Sequence, residues 1–147
     1  MSGSQFKKIL DTQREFYKTL EPVFSNVIQS NVHFTAPGFN HLRFKIDNTP
    51  RTPVEAMYKL KLLTYVPLVI KEANTIDTYL KRLSPVGGSR KKVYKEVEYW
   101  SLVASVIENK YKIRVILRKV AGSDQICFWS VMKLQSNKKP HLTDEVA

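Results

Sequence analysis

The segment His41-Leu42-Arg43-Phe44-Lys45, followed shortly by Arg51, holds the residue types best suited to chemistry in this chain. A histidine can move a proton near neutral pH, and cations stabilise the charge that develops on a phosphorane. If the segment is extended, residues 41, 43 and 45 share a face. If it is helical, 41 and 45 do, so His41 has a cation beside it either way. Arg51 precedes Thr52-Pro53-Val54-Glu55, a capping box whose helix N-terminus also favours an anion. Together these residues suit metal-free phosphodiester cleavage. Each also has a structural reading: His41 as a partly buried ring bonded to backbone, and Arg43 and Arg51 as surface charges or as ion-pair partners of Asp47 and Glu55.

A fourth candidate, Ser130, lies in Phe128-Trp129-Ser130-Val131-Met132-Lys133. Alternation places it with Phe128 and Met132, opposite Trp129 and Lys133. Such a hydroxyl is either satisfied by backbone or offered to a phosphate oxygen. No glycine elbow frames it as a covalent nucleophile. Walker, Rossmann, HExxH and paired-cysteine patterns are absent. The histidines, His33, His41 and His141, have too few acidic or thiol neighbours to suggest a metal site, so neither metal nor cofactor is expected. His33 reads as structural and His141 as solvated. The single cysteine, Cys127, cannot form an intrachain disulfide, which suits a reducing, cytoplasmic setting.

The chain has 24 Lys plus Arg against 13 Asp plus Glu, a formal net charge of +11. That field attracts an anionic partner: nucleic acid, an acidic protein or an anionic membrane surface. The basic excess centres on residues 81–119. Lys45, Arg90, Lys91, Lys92, Arg114 and Lys133 are candidate RNA contacts, and Tyr94, Tyr99, Trp100 and Tyr111 are interleaved where bases could stack. The plainer reading makes Lys81, Arg82 and Arg90 to Lys92 a solvated surface, and the aromatics core or sheet-face residues. Leu62 to Ile70 is too short to span a bilayer and is interrupted by Tyr65 and Pro67, and no apolar signal core opens the chain, so no membrane role is expected.

The elements that must position these residues change period along the chain. Apolar residues from Phe6 to Val27 recur at helical spacing, and Pro22 divides them into two helical pieces with a break at Thr19 to Glu21. Asn31 to Thr35 reads as a short strand before the Pro37-Gly38 turn, and Phe39 to Ile46 as one or two helical turns. A helix starts at Thr52-Pro53, falters near Pro67 and is followed by a further helical stretch to about Leu83. After the Gly87-Gly88-Ser89 loop the period becomes alternating. Val93 to Ile107, Ile113 to Arg118 and Gln125 to Leu134 form an antiparallel meander, turning at Asn109-Lys110 and Gly122-Ser123-Asp124. At 147 residues and 43% hydrophobic content the chain supports one core. The expectation is one α+β domain over residues 1–134, with helices packed on a C-terminal antiparallel sheet, and a flexible polar tail over 135–147.

This order of signals resembles the phage-borne and toxin-type nucleases of the barnase, EndoU, colicin D and RelE fold group. The resemblance rests on Val32-His33-Phe34-Thr35, Gly38-Phe39-Asn40-His41-Leu42, Leu62 to Ile70, and Ile113-Arg114-Val115-Ile116-Leu117 running into Cys127-Phe128-Trp129-Ser130, spanning roughly residues 31–134. It implies metal-free RNA cleavage, with the 2′-hydroxyl attacking its own phosphate to leave a cyclic phosphate. His41 would be general acid or base, Arg43 and Arg51 would hold the scissile phosphate, and Ser130 would hydrogen-bond a phosphate oxygen. The substrate would be tRNA or mRNA, and the partner an acidic antitoxin or immunity protein. A second catalytic His or Glu is not evident; Lys45 or His33 would have to fill that place. The alternatives are a non-catalytic basic nucleic-acid-binding module and a basic adaptor for acidic proteins.

Overall fold

The computed structural model describes residues 3–87, 92–106, 111–134, 142, 146 and 147. Four helices, α1 (Gly3–Lys18), α2 (Ala36–His41), α3 (Pro53–Leu62) and α4 (Val66–Glu72), accompany six strands: β1 (Val23–Ser25), β2 (Ser30–His33), β3 (Ile76–Val86), β4 (Val93–Val106), β5 (Tyr111–Val120) and β6 (Ile126–Leu134). The strands form one sheet in the order β1-β2-β6-β5-β4-β3, antiparallel except where β2 runs parallel to β6. The α+β expectation holds, and β4-β5-β6 is the expected meander. Among the described residues no helix is long and apolar enough to cross a membrane.

Two local readings are corrected. Pro22 opens no second helix; the chain enters the β1–β2 hairpin instead. The Ser25 hydroxyl accepts from Ile28 N–H at 3.2 Å, its carbonyl accepts from Gln29 N–H at 2.8 Å, and Gln29 turns the chain at φ +59°. Helix also does not continue to Leu83, because β3 begins at Ile76. This strand is an edge, exposed along much of its length. It therefore lacks the alternation that a half-buried strand shows, and Leu80 and Leu83 mimic helical spacing.

The capping box behaves as its residues require. Thr52 Oγ1 accepts from Glu55 N–H at 3.2 Å, and Pro53 occupies the first turn of α3, where no amide partner is lost. Thr52→Ala is expected to lower stability by about 1 kcal/mol, read as a shift of the urea midpoint at constant slope; an unchanged midpoint would mean that this cap contributes nothing.

The sheet is covered unequally on its two faces. Leu60 and Leu63, with Val66 and Ile70 of α4, pack with Leu102, Ile113, Val115, Leu117 and Phe128 into the larger apolar cluster. A smaller cluster joins Val97, Tyr99, Ile116, Trp129 and Met132 to Leu142 and Val146. The described end of the segment expected to be a flexible tail is thus packed down, because Leu142 and Val146 supply apolar cover for a sheet face that has none from the helices. The turn at Asn109-Lys110 and most of residues 135–145 lie outside the described residues.

β2 pairs with β6 only as far as Cys127, leaving the rest of that edge open. α3 closes it. The Lys133 N–H donates to Tyr58 Oη at 2.7 Å, and Lys59 Nζ donates to Val131 O at 3.0 Å and to Ser130 Oγ at 3.3 Å. An open strand edge is a template for unwanted pairing, and these side chains occupy its backbone groups.

Candidate functional site: a cationic and aromatic cleft

His41 is the last residue of α2, and how that helix is seated decides where the imidazole goes. Phe39 and Leu42 face the larger apolar cluster, while Gly38 brings the helix against the Phe128 carbonyl of β6. His41 then lies flat on the indole of Trp129, ring centroids 3.9 Å apart and planes 15° apart. A bulge puts Trp129 there. Ile116 pairs with Ser130 and Leu117 with Phe128, so Trp129 is an extra residue in β6. The simple alternation expected for residues 128 to 133 therefore breaks: Phe128 joins the larger cluster, Trp129 and Met132 the smaller.

Arg51 reaches the same histidine from the start of α3. Its Nε donates to the His41 carbonyl at 2.9 Å, Nη2 lies 3.2 Å from His41 Nε2, and Nη1 pairs with Glu55 Oε1 at 2.8 Å. A guanidinium only donates, so Nε2 accepts and the ring proton resides on Nδ1. The intervening chain is a closed loop: Arg51 N–H donates to Arg43 O, and Lys45 N–H to Thr49 O. Asp47, bonded to Thr49 N–H at 2.9 Å, has its carboxyl held below the ordinary range by that bond.

A second cation comes from β5. The Arg118 guanidinium carbon lies 3.6 Å from the centre of the Trp129 ring, and the residue is 8% exposed. Burial lowers its pKa, and the Tyr99 phenol beside it partly offsets that effect. Among the described residues no carboxylate lies within ion-pair distance of Arg118. A buried cation without a carboxylate is costly unless aromatic faces or a bound anion compensate it.

These groups border a cleft of about 530 Å³. Its walls are the loop around Phe44, Lys45, Ile46 and Asn48 and the end of β3 at Pro85 and Val86; His41, Trp129 and Arg118 also line it. Among the described residues, no group of three His, Cys, Asp or Glu side chains is placed to hold a metal.

The candidates named from the sequence divide accordingly. His41 and Arg51 are brought together, and Lys45 lies on the cleft wall. Arg43 instead lies over Phe44, 5.2 Å from the ring centre, and contributes its carbonyl to Arg51. Ser130 is fully buried against Lys59, which favours the satisfied hydroxyl over the phosphate donor. Arg114, 1% exposed, pairs with Asp77 at 2.7 Å and is no surface contact. Lys92 Nζ donates to Ile46 O, so it props the cleft wall. Lys133 lies half-buried at the end of β6. Arg90, Lys91, His141 and the side chain of Tyr111 lie outside the described residues. Of the stacking candidates, Tyr99 is buried and Tyr94 is 68% exposed.

Trp129 and Arg118 were not singled out from the sequence. The available signal was Arg114-x-Ile116-x-Arg118, two arginines on one face of a strand that otherwise reads as core. Arginines at such positions are seldom idle, because their burial needs a partner. Comparison with protein-family models, with curated proteins and with solved structures found no match.

Proposed function

We propose that this chain is an endoribonuclease-type domain that takes an RNA phosphodiester into the His41–Trp129–Arg118 cleft and cleaves it without a metal. The observation that carries the reading is the convergence on a single indole, at the wall of a cleft, of one histidine oriented by Arg51 and of Arg118, which among the described residues has no carboxylate within ion-pair distance. Arg118 and Lys45 would neutralise the phosphate and the charge that grows on its oxygens. His41 is the group there suited to moving a proton near pH 7. The nucleophile is the RNA's own 2′-hydroxyl, the bond that breaks is to the 5′-oxygen, and the products carry a 2′,3′-cyclic phosphate and a 5′-hydroxyl. The +11 charge would supply sequence-independent affinity for the chain of phosphates.

One observation favours a binding module that does not cleave. Among the described residues lining the cleft, His41 is the one histidine and is only 2% exposed, whereas transesterification needs proton transfer at both oxygens. A single experiment separates the readings: incubation of total RNA with the protein in EDTA, beside His41→Ala and Arg118→Ala, with mapping of product ends. Cleavage to cyclic-phosphate ends is expected, reduced about 100-fold or more in His41→Ala, with RNA affinity little changed. Arg118→Ala should weaken binding as well. Retained cleavage by His41→Ala would overturn the assignment, and binding by all three proteins with no cleavage would establish the binding module.

A further inference from the structure

The cleft is held from a part of the chain whose described residues, Leu142, Val146 and Ala147, are not in its lining. The Trp129 indole N–H donates to the Val146 carbonyl at 3.1 Å, and Val146 has no exposed surface. The next residue, Ala147, accepts from the Ile46 N–H at 2.7 Å, and Ile46 also lines the cleft. Lys92 Nζ meets the carbonyl of Ile46, so that residue is fixed on both sides of its backbone. Leu142, whose carbonyl accepts from Val146 N–H at 3.0 Å, packs with Val146 in the cluster that contains Trp129.

A buried indole N–H needs an acceptor, and the direction of that bond fixes the rotation of the ring in its plane. Both His41 and Arg118 rest against this one ring, so a shift of the indole displaces the surface on which each is seated. From these contacts we propose that Val146 is a positioning residue for the cleft: it orients Trp129, and through Trp129 the pair His41 and Arg118. The functional half of this inference rests on the reading of the cleft as an RNA site; the positioning half does not.

The test uses the full chain in a Trp100→Phe background, which leaves Trp129 as the only tryptophan. Val146→Lys places a charge where no solvent reaches. It should shift the Trp129 emission to the red, raise its quenching by acrylamide, and weaken RNA binding about tenfold, while the main unfolding transition persists. Because the effect passes through the indole N–H, the same substitution added to Trp129→Phe should change RNA affinity less than about twofold. If Val146→Lys does not fold, Val146→Ala carries the same comparison with a smaller expected shift. Unchanged emission and quenching in a folded variant would overturn the proposal, as would losses that add in the double variant. A parent protein that neither binds nor cuts RNA would sink the RNA reading alone, since the fluorescence arm still decides whether Val146 positions Trp129.

Discussion

Gly38→Ala is expected to destabilise the protein by about 3 kcal/mol and to disable the cleft with it. In an unencumbered helix the same change would stabilise by up to about 1 kcal/mol, so the sign of the effect is itself diagnostic. At Gly38 an added Cβ would stand 2.4 Å from the Phe128 carbonyl oxygen and 3.0 Å from the Tyr17 hydroxyl. Neither neighbour yields easily. The first is backbone of a central strand, and the second is a buried phenol bonded to Thr35 O at 2.6 Å. Relief must come from α2 moving away from β6, which carries His41 off Trp129. Urea denaturation measures the first effect, and RNA cleavage in the folded fraction measures the second. Stability within about 0.5 kcal/mol of the parent would show that α2 does not sit this close to β6.

The second large effect is expected at Asp77. A bulge in β3 makes it the unpaired residue between Ile76, opposite Leu102, and Thr78, opposite Ser101. Its carboxylate meets the Arg114 guanidinium at 2.7 Å, with side-chain exposures of 14% and 1%. Asp77→Ala deprives a buried cation of its carboxylate and should cost about 3–5 kcal/mol. Replacing both residues by apolar side chains of similar volume should recover most of that loss, because well-packed apolar pairs commonly match a buried ion pair in stability. A loss below about 1 kcal/mol for Asp77→Ala, or no recovery in the double variant, would show that the pair does not set the stability of the β3–β5 region.

Legibility followed burial. The meander showed in the sequence because apolar residues recur at every second position on each face, Ile113, Val115 and Leu117 towards the helices and Val97 and Tyr99 in the smaller cluster on the other face. The start of α3 showed because Thr52, Pro53 and Glu55 act locally. β3 did not: as an edge with exposed Tyr79 and Leu83 it bears no period. β1 and β2 are short, and β6, with which β2 pairs, is remote in the chain, so no local pattern records that pairing. In the site, His41 beside Arg51 was legible from proximity and from the cap. Arg118 and Trp129 were not, because the bulge that exposes the indole to His41 is a departure from the alternation used to place it.

The parallel pairing of β2 with β6 also imposes an order on biosynthesis. Val32 meets Ile126, and His33 meets Cys127. While the ribosome makes the chain, the β1–β2 hairpin emerges early and must wait, with its inner edge open, until β6 is made. Contacts so distant in sequence slow folding and prolong exposure of unpaired edges. Until then α2, which rests on β6, has nowhere to dock. His41 therefore cannot reach Trp129 until β6 is in place, and a nascent chain from which β6 has not yet emerged would have no formed cleft.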